Sequence, residues 1–211
     1  CLGKLRIALL EVFMLKILLA TANRGKLHEI QALLAGLPLR LLIPADLGLS
    51  LEVAETGDSY AVNAALKATA FARLAGMLAL ADDSGLEVDA LGGLPGVRSA
   101  RFSPLPGATD ADRRSYLLEQ LAGIPRPWTA HFHCTVALAE ADGEITYFEG
   151  DCPGEIIPAE RGTNGFGYDP IFLLPELGRT MAELSTDEKN QLSHRARAIK
   201  AAIPTLRRLA G

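Results

Sequence analysis

The sequence predicts an α/β protein with a mixed β-sheet, arranged in two lobes. Two observations lead to this fold class. Short apolar runs alternate with amphipathic helical patterns up to residue 81, which is typical of parallel strands joined by helices. Two long β-type runs then follow, 128–139 and 144–151, and the Ala-Asp-Gly between them indicates an antiparallel hairpin. Because helical patterns lie on both sides of this hairpin, we expect parallel and antiparallel strands in one sheet.

The first half of the chain is expected to contain three strands and two helices. Asn23 can cap the first helix, which Gly36 and Pro38 end, and Asp58 or Ser59 can cap the second. In chain order, the expected elements are strand 15–20, helix 25–35, strand 39–43, a helix that ends near Gly76, and strand 78–81, which ends in Asp82-Asp83-Ser84-Gly85.

The second half is expected to combine the hairpin with long loops and C-terminal helices. Glycine and proline predict loops over 92–107 and 161–170, and a helix is expected over 110–121. Ser185-Thr-Asp-Glu188 is a capping box that opens a helical region. That region runs to the end of the chain, with Pro204 expected to break it.

Composition excludes several classes of protein. The 211 residues are 49% hydrophobic and 22% charged, which excludes disorder as the default and suits a globular core. With 21 Lys+Arg and 25 Asp+Glu, the net charge is 21 − 25 = −4. A chain with a pI near 5.6 is a poor candidate for sequence-independent nucleic-acid binding, which needs a basic face. We therefore expect no nucleic-acid partner.

The start of the chain is apolar but is not expected to enter a membrane. Arg6, Glu11 and Lys16 interrupt residues 1–20, so no uncharged run approaches the ~20 residues that span a bilayer. We interpret Met14 as the natural start, residues 1–13 as an N-terminal extension or a remnant of expression, and residues 14–211 as a single two-lobed domain. Three cysteines without a CxxC motif favour a reduced, cytoplasmic location.

Residues 20–26, Ala-Thr-Ala-Asn-Arg-Gly-Lys, are a candidate anion-binding segment. A strand runs into a polar turn and then into a helix whose first turn carries Lys26. Free backbone N–H groups at a helix start, together with a lysine, can hold a phosphate. The segment is not a Walker A loop, because the first glycine of that motif is missing and Leu27 stands where it has a hydroxyl. An ordinary capped helix would look the same.

Carboxylates on two segments form a candidate metal and acid–base site. Asp82 and Asp83 follow an apolar strand, where open α/β sheets place ligands, and adjacent strand residues point to opposite faces. One aspartate is therefore expected to face a cleft, where it could bind Mg²⁺ or deprotonate a water. Glu55, on a separate loop, is a candidate second ligand. Taken alone, the aspartates are as typical of an Asp-rich turn, and Glu55 of a solvated loop.

Other donors and aromatic residues are ambiguous when taken one at a time. Asn63 and Lys67 share a helix face and could point at phosphates, although a solvated polar stripe is commoner. In Gly165-Phe166-Gly167-Tyr168-Asp169-Pro170, glycine permits close approach and an aromatic ring could stack on a base, but a packed turn would have the same composition.

Lys189, His194 and Arg195 are further donors. On one continuous helix, Lys189 and His194 would lie about 140° apart and would not converge on a small ligand. Ser193 could instead cap a new helix and redirect His194 and Arg195. A solvated basic helix is the alternative.

Taken together and in this order, these motifs closely resemble the inosine triphosphate pyrophosphatase family. The similarity extends from about Met14 to Leu209, and the matching stretches are TANRGK (21–26), ETGDS (55–59), NAALKA (63–68), ADDSGLEVDALGGLPGVRSARF (81–102), FHCTVAL (132–138), GTNGFGYDPIF (162–172) and EKNQLSHRARA (188–198). The resemblance implies Mg²⁺-dependent hydrolysis of ITP, dITP and XTP to the nucleoside monophosphate and pyrophosphate. It also implies two lobes around a long curved mixed sheet, an active site in the cleft between them, and a homodimer.

The resemblance also implies a role for each motif residue. Asp83 would be the proton acceptor and a metal ligand, Glu55 a second metal ligand, and Asp82 a supporting carboxylate. The implied substrate-binding residues are Thr21, Ala22, Asn23, Arg24, Gly25, Lys26 and Ser84 for the triphosphate, Asn63 and Lys67 facing the phosphates, and Phe166, Gly167, Tyr168, Asp169, Lys189, His194 and Arg195 for the base and sugar.

Two other functions remain open on the sequence. A related pyrophosphatase acting on pyrimidine or modified nucleotides would carry the same phosphate motifs. A nucleotide-binding module without catalysis is a second alternative, although such a protein would be expected to lose a carboxylate first. Donors from His194 and Arg195 favour a 6-keto purine, because hypoxanthine and xanthine present an acceptor where adenine presents an amino donor.

Overall fold

The computed structural model describes residues 14–211, and the predictions for residues 1–13 lie outside the described residues. One seven-stranded sheet runs through the molecule. Its strands are β1 (Leu15–Leu19), β2 (Leu39–Leu42), β3 (Ala79–Val88), β4 (Trp128–Ala139), β5 (Ile145–Ile156), β6 (Phe172–Leu174) and β7 (Arg179–Thr180). They are ordered β2-β1-β3-β4-β5-β6-β7. The β1–β2 and β1–β3 pairs are parallel and all later pairs are antiparallel, which confirms the predicted mixed α/β sheet.

Within residues 14–211, five α-helices begin at capping residues that the sequence makes recognisable. The helices are α1 (Arg24–Leu34), α2 (Tyr60–Ala75), α3 (Asp110–Leu121), α4 (Thr186–Leu192) and α5 (His194–Leu209). Asn23 and Ser59 accept hydrogen bonds from the first turns of α1 and α2. Ser193 ends α4 in an extended conformation and caps α5 through the N–H of Ala196. Of the two alternatives left open for this region, a new helix capped at Ser193 is therefore the one that the structure shows.

Helices cover both faces of the sheet. Helix α2 packs alanines such as Ala64 and Ala68 against Ala81 and Ala137, and these small side chains let the helix approach the strands closely. Helices α1 and α5 pack on the other face with larger aliphatic side chains, and a third cluster joins α3 to the far ends of β3 and β4. Because side chains alternate along a strand, neighbouring residues of β3 enter different clusters.

The third strand is longer than predicted. We expected it to end before Asp82, but β3 continues to Val88 because β4 pairs with all of its residues from Ala79 onwards. The polar run that indicated a turn is thus held in an extended ladder. Gly85 suits this position, because a Cβ there would lie 2.3 Å from the carbonyl oxygen of Gly96. The two aspartates therefore lie within a strand.

The prediction that Pro204 breaks the last helix is wrong. Helix α5 is continuous from His194 to Leu209. Proline removes one intrahelical N–H, but Ile199, Ala202 and Leu206 are fully buried around this point and hold the helix against the sheet. The second hairpin strand is also longer than predicted, since β5 continues to Ile156 while it pairs with β4.

Two further features of the described residues concern membrane crossing and the cysteines. Within residues 14–211, no helix is long and apolar enough to cross a membrane. Cys134 and Cys152 are buried free thiols, and burial raises the pKa of both, to about 12 and about 11.

Candidate active site

A cleft of about 760 Å³ opens where β3 extends beyond β1. The parallel pairing of these strands ends at Leu19 and Leu80, so the next residues of β3 have no strand beside them on that edge. The start of α1, the residues 49–53, the turn Gly96–Arg101, the loop 166–169 and the start of α5 surround this edge. The topology of the sheet thus produces a polar cleft next to the two aspartates.

Asp82 and Asp83 point to opposite sides of β3, as the alternation of a strand requires. The Asp82 carboxylate is completely buried, and its Oδ2 lies 3.1 Å from both Lys26 Nζ and Arg195 Nε. The Asp83 carboxylate lines the cleft, with Oδ1 3.7 Å from Lys67 Nζ. Only Asp83 is therefore open to a ligand.

The two aspartates experience opposite electrostatic environments. Burial alone would raise the pKa of Asp82, but Lys26, Arg195 and Lys67 outweigh it and hold that pKa well below its usual range. Burial also raises the pKa of Asp83, and there the neighbouring lysines only partly compensate. Asp82 is thus held in its charged form, whereas Asp83 accepts a proton more readily than an ordinary aspartate. Divergent pKa values in adjacent carboxyl groups are typical of an acid–base site.

Glu55 and Asp83 are linked by one lysine, which contacts both carboxylates. Lys67 Nζ is 2.8 Å from Glu55 Oε1 and also donates to the carbonyl oxygen of Asp82 at 2.7 Å. Arg101 Nη1 lies 3.4 Å from the other Glu55 oxygen. Lys67 and Arg101 therefore hold Glu55 beside the cleft, and Glu55 and Asp83 share the Lys67 ammonium group.

These two carboxylates fit a hard divalent cation. They present oxygen donors from separate segments to one cleft, where both lie beside Lys67. Within the part of the chain that the structure describes, no group of three or more His, Cys, Asp or Glu residues could hold a metal. Mg²⁺ is often bound in this way, by one or two carboxylates with the remaining ligands from water and substrate phosphates.

The start of α1 forms the candidate phosphate cradle. The Asn23 side chain accepts from the Lys26 N–H at 3.1 Å, and the N–H groups of the two preceding helical residues have no acceptor within the helix. Gly25 packs directly under Phe166, since a Cβ on Gly25 would lie 2.7 Å from the ring. This glycine therefore allows the cradle and the aromatic loop to meet.

A buried chain of alternating charges connects the cradle with the C-terminal helices. Arg195 donates to Asp82, Glu29 and Ser84. Glu29 also pairs with Lys189 at 2.8 Å, and Lys189 pairs with Asp169 at 2.9 Å. The Asp169 carboxylate in turn accepts from the N–H of Phe166 at 2.9 Å, which fixes the aromatic loop. Each buried charge is thus paired, as burial requires.

His194 is neutral in this environment. Burial and the adjacent Arg195 and Lys189 cations hold its pKa well below the usual range. The ring stacks on Phe132 with centroids 4.7 Å apart and lines the cleft. Its Nδ1 is buried without a hydrogen-bond partner in the structure. A neutral imidazole with an unused nitrogen can pair with a polar edge of a ligand.

Helix α3 supports the aromatic loop from behind. Asp110 accepts from the N–H of Gly167 at 2.7 Å, and Arg114 donates to the carbonyl oxygen of Gly167 at 2.8 Å. The Tyr168 hydroxyl donates to the carbonyl oxygen of Ser99 at 2.9 Å, which ties the loop to the turn Gly96–Arg101. Tyr168 is only 4% exposed, so it is largely a packed residue.

The structure brings most of the predicted site residues to one cleft. Those that line it are Thr21, Ala22, Asn23, Arg24, Lys26, Glu55, Lys67, Asp83, Ser84, Phe166, Gly167, Tyr168, Asp169, Lys189, His194 and Arg195. Gly25 lies beneath Phe166. Asn63, which we expected to face the phosphates with Lys67, is fully buried behind Asp83 instead.

Sequence reasoning missed Glu29 and Asp110. Glu29 lies three residues after Lys26, so both belong to one face of α1, and this spacing was a usable signal. Asp110 begins α3 and has no local pattern that separates it from an ordinary first-turn acid. Its contact with Gly167 arises only from the tertiary fold.

Comparison with known proteins identifies the family. The family model described as the Ham1 family matches residues 17–205. A dITP/XTP pyrophosphatase of Listeria monocytogenes is 46% identical over 188 residues, which is 89% of this chain and 92% of that protein. The corresponding protein of Geobacter sulfurreducens is 48% identical over 187 residues, 88% of this chain and 94% of its own length.

Solved structures agree with this assignment. A HAM1 protein from Coxiella burnetii superposes with a TM-score of 0.83 at 42% identity, covering 91% of this chain and 99% of that one. The Ham1 protein of Staphylococcus aureus gives a TM-score of 0.81 at 37% identity, covering 90% and 97%. The resemblance found in the sequence is confirmed, and this chain belongs to the Ham1 family.

Proposed function

We propose that this protein hydrolyses ITP, dITP and XTP to the nucleoside monophosphate and pyrophosphate, and so removes deaminated purine nucleotides from the precursor pool. The observation that carries the proposal is that one cleft is lined both by charged side chains suited to phosphate and metal and by an aromatic ring with buried hydrogen-bonding side chains. We assign Asp83, Glu55, Lys26 and Lys67 to the phosphate end of the bound nucleotide, and Phe166 with these buried side chains to the other end. Relatives named dITP/XTP pyrophosphatase support the same reaction.

The phosphate end supplies the elements of nucleophilic substitution at phosphorus. A water next to Asp83 would attack the α-phosphorus and give its proton to that carboxylate. The bond from the α-phosphorus to the bridging oxygen would break, and pyrophosphate would leave with the bond electrons. Lys26 and Lys67 would stabilise the negative charge that spreads over the phosphates. Mg²⁺, held by Glu55 and Asp83 together with phosphate oxygens, would supply Lewis-acid polarisation of the phosphate.

The other end supplies base recognition. Phe166 offers a ring face, and Lys189 and Arg195 lie over it at 5.4 and 5.7 Å. Arg195 is fixed by three side-chain acceptors, so its remaining N–H groups have a defined direction. A 6-keto purine would satisfy these donors, whereas the 6-amino group of adenine would oppose them. A buried polar group left unpaired makes such rejection strong.

The test compares five nucleotides side by side. Pyrophosphate release is measured from dITP, XTP, dATP, dGTP and dTTP, with Mg²⁺ or with EDTA. We expect metal-dependent release from dITP and XTP alone. Release from dTTP, or from all five, would refute the base assignment but keep the chemistry. Binding of dITP without any release would instead identify a nucleotide-binding module.

The homodimer that the resemblance implies is part of the proposal. Light scattering on the purified protein tests it, and a mass of one chain, 22.5 kDa, would contradict it.

A further inference from the structure

Asn63 is a buried amide that touches two parts of the proposed site at once. Its Oδ1 accepts from the backbone N–H of Gly57 at 2.8 Å, and its Nδ2 donates to Asp83 Oδ2 at 3.1 Å. The residue is 0% exposed and does not line the cleft. It therefore differs from Lys67, one turn further along α2, which does line the cleft.

The orientation of this amide is determined by its partners. A backbone N–H can only donate, so the carbonyl oxygen of Asn63 must face Gly57. The NH₂ group must then face Asp83. Rotating the amide would place two donors together at Gly57 and two acceptors together at Asp83, and would lose both of these hydrogen bonds. Asn63 is thus a fixed donor to one oxygen of Asp83.

We infer that Asn63 is a positioning residue that fixes the orientation of the Asp83 carboxylate in the cleft. The inference rests on the proposed function, in which that carboxylate accepts the proton of the attacking water. Oδ2 accepts the N–H of Asn63 on the buried side, which turns Oδ1 towards the cleft. That oxygen lies beside Lys67 in the cleft. The water oxygen bonds to the α-phosphorus, the bond to the bridging oxygen breaks, and pyrophosphate leaves with its electrons.

The same side chain also fixes the segment that carries Glu55. Gly57 is packed against the start of α2, since a Cβ on it would lie 2.6 Å from Val62 Cγ1 and 2.8 Å from Asn63 Oδ1. Glu55 lies two residues before Gly57. Asn63 therefore holds the Asp83 carboxylate and the backbone near Glu55 in one arrangement, without touching the cleft itself.

The first variant is Asn63→Leu, which keeps the number and branching of the side-chain heavy atoms and removes the hydrogen bonds. With dITP and saturating Mg²⁺, we expect kcat to fall about 10- to 100-fold, because a small misplacement of a reacting group has effects of this size. We expect KM for dITP to stay within about twofold, since an interaction made only in the transition state affects kcat and not substrate binding.

Ser59→Ala is the matched control. Ser59 caps the same helix by accepting from the Val62 N–H at 3.3 Å, and it does not line the cleft. It should lower the melting temperature and leave kcat unchanged. If Asn63→Leu lowers kcat no more than Ser59→Ala, or raises KM with kcat unchanged, the positioning role is wrong.

Asn63→Asp keeps the inference testable if the leucine variant does not fold. It retains the acceptor for Gly57 and loses the N–H donor to Asp83, so kcat should again fall while KM is kept. A wild-type kcat in a folded Asn63→Asp protein would overturn the inference. Wild-type protein that releases no pyrophosphate would overturn the proposed function, and this inference with it. An active wild type with unaffected Asn63 variants would overturn the inference alone.

Discussion

Replacing Asp82 and Asp83 one at a time by asparagine should separate stability from catalysis. The two residues are adjacent and the substitutions are nearly isosteric, so each protein is a control for the other. Asp82→Asn should destabilise the fold. Asp83→Asn should leave the fold intact and abolish nearly all turnover.

The magnitude for Asp82 follows from its ion pairs. At 3.1 Å from Lys26 and from Arg195, each Coulomb interaction is worth about 5 kcal/mol at an effective dielectric constant of about 20. The buried Asp82 carboxylate also costs desolvation free energy. Asp82→Asn removes this cost, which offsets much of this sum. Removing one partner of a buried pair typically costs about 3–5 kcal/mol, because the remaining charges lose their counter-ion. At roughly 2–4 °C per kcal/mol, the melting temperature should fall by roughly 6–20 °C.

Neutralising Asp83 has the opposite electrostatic effect on stability from neutralising Asp82. The pKa of Asp83 is raised, so the folded protein disfavours its charged form, and neutralising it does not remove a stabilising contribution. We therefore expect a smaller change in the free energy of unfolding than for Asp82→Asn. Turnover should fall by about 10²-fold or more, since the proton acceptor is lost.

Two assays are sufficient. Urea unfolding, measured without nucleotide and metal, gives the stability of both variants, and pyrophosphate release from dITP with Mg²⁺ gives their turnover. The assignment of roles would be refuted if Asp83→Asn kept near-wild-type turnover. It would equally be refuted if Asp83→Asn were the less stable protein.

Three further results are expected. Lys26→Ala should mainly raise KM for dITP, by roughly tenfold, because one charge-assisted phosphate contact is lost; unchanged KM and kcat would remove Lys26 from the site. Gly25→Ala should lower kcat/KM for dITP, because its new Cβ would lie 2.7 Å from the Phe166 ring, and an unaltered kcat/KM would show that this contact is unimportant. The depressed pKa of Asp82 stabilises the fold above its ordinary value of 3.8, and this contribution is lost as pH falls through the lower folded-state value. Melting temperatures between about pH 4 and 2 should therefore fall more steeply for wild type than for Asp82→Asn, and parallel curves in this range would contradict this.

Local sequence signals were sufficient for most elements. Asn23, Ser59 and Ser193 are recognisable caps, and they start α1, α2 and α5 where the structure has them. The site could be predicted because its residues lie in short motifs next to these caps. The order of these motifs along the chain also matched that of a known family.

Tertiary contacts explain what the sequence did not predict. The polar residues after Ala81 have the composition of a turn, and only pairing with the distant β4 keeps them extended. Burial of Asn63 depends in the same way on the packing of α2 over β3. Asp110 enters the site through the loop at Gly167, 57 positions away, and no local pattern carries such information.

The position of Arg195 has a consequence for biosynthesis. It pairs with Asp82 across 113 positions of the chain, and it lies in the first turn of the last helix. The strands that the structure describes end at Thr180, so this arginine is synthesised after all of them. The same helix buries Ile199, Ala202 and Leu206 against that sheet. A chain that stops before this helix would therefore lose the counter-ion of a buried carboxylate together with part of the core, and we expect it to be incompletely packed.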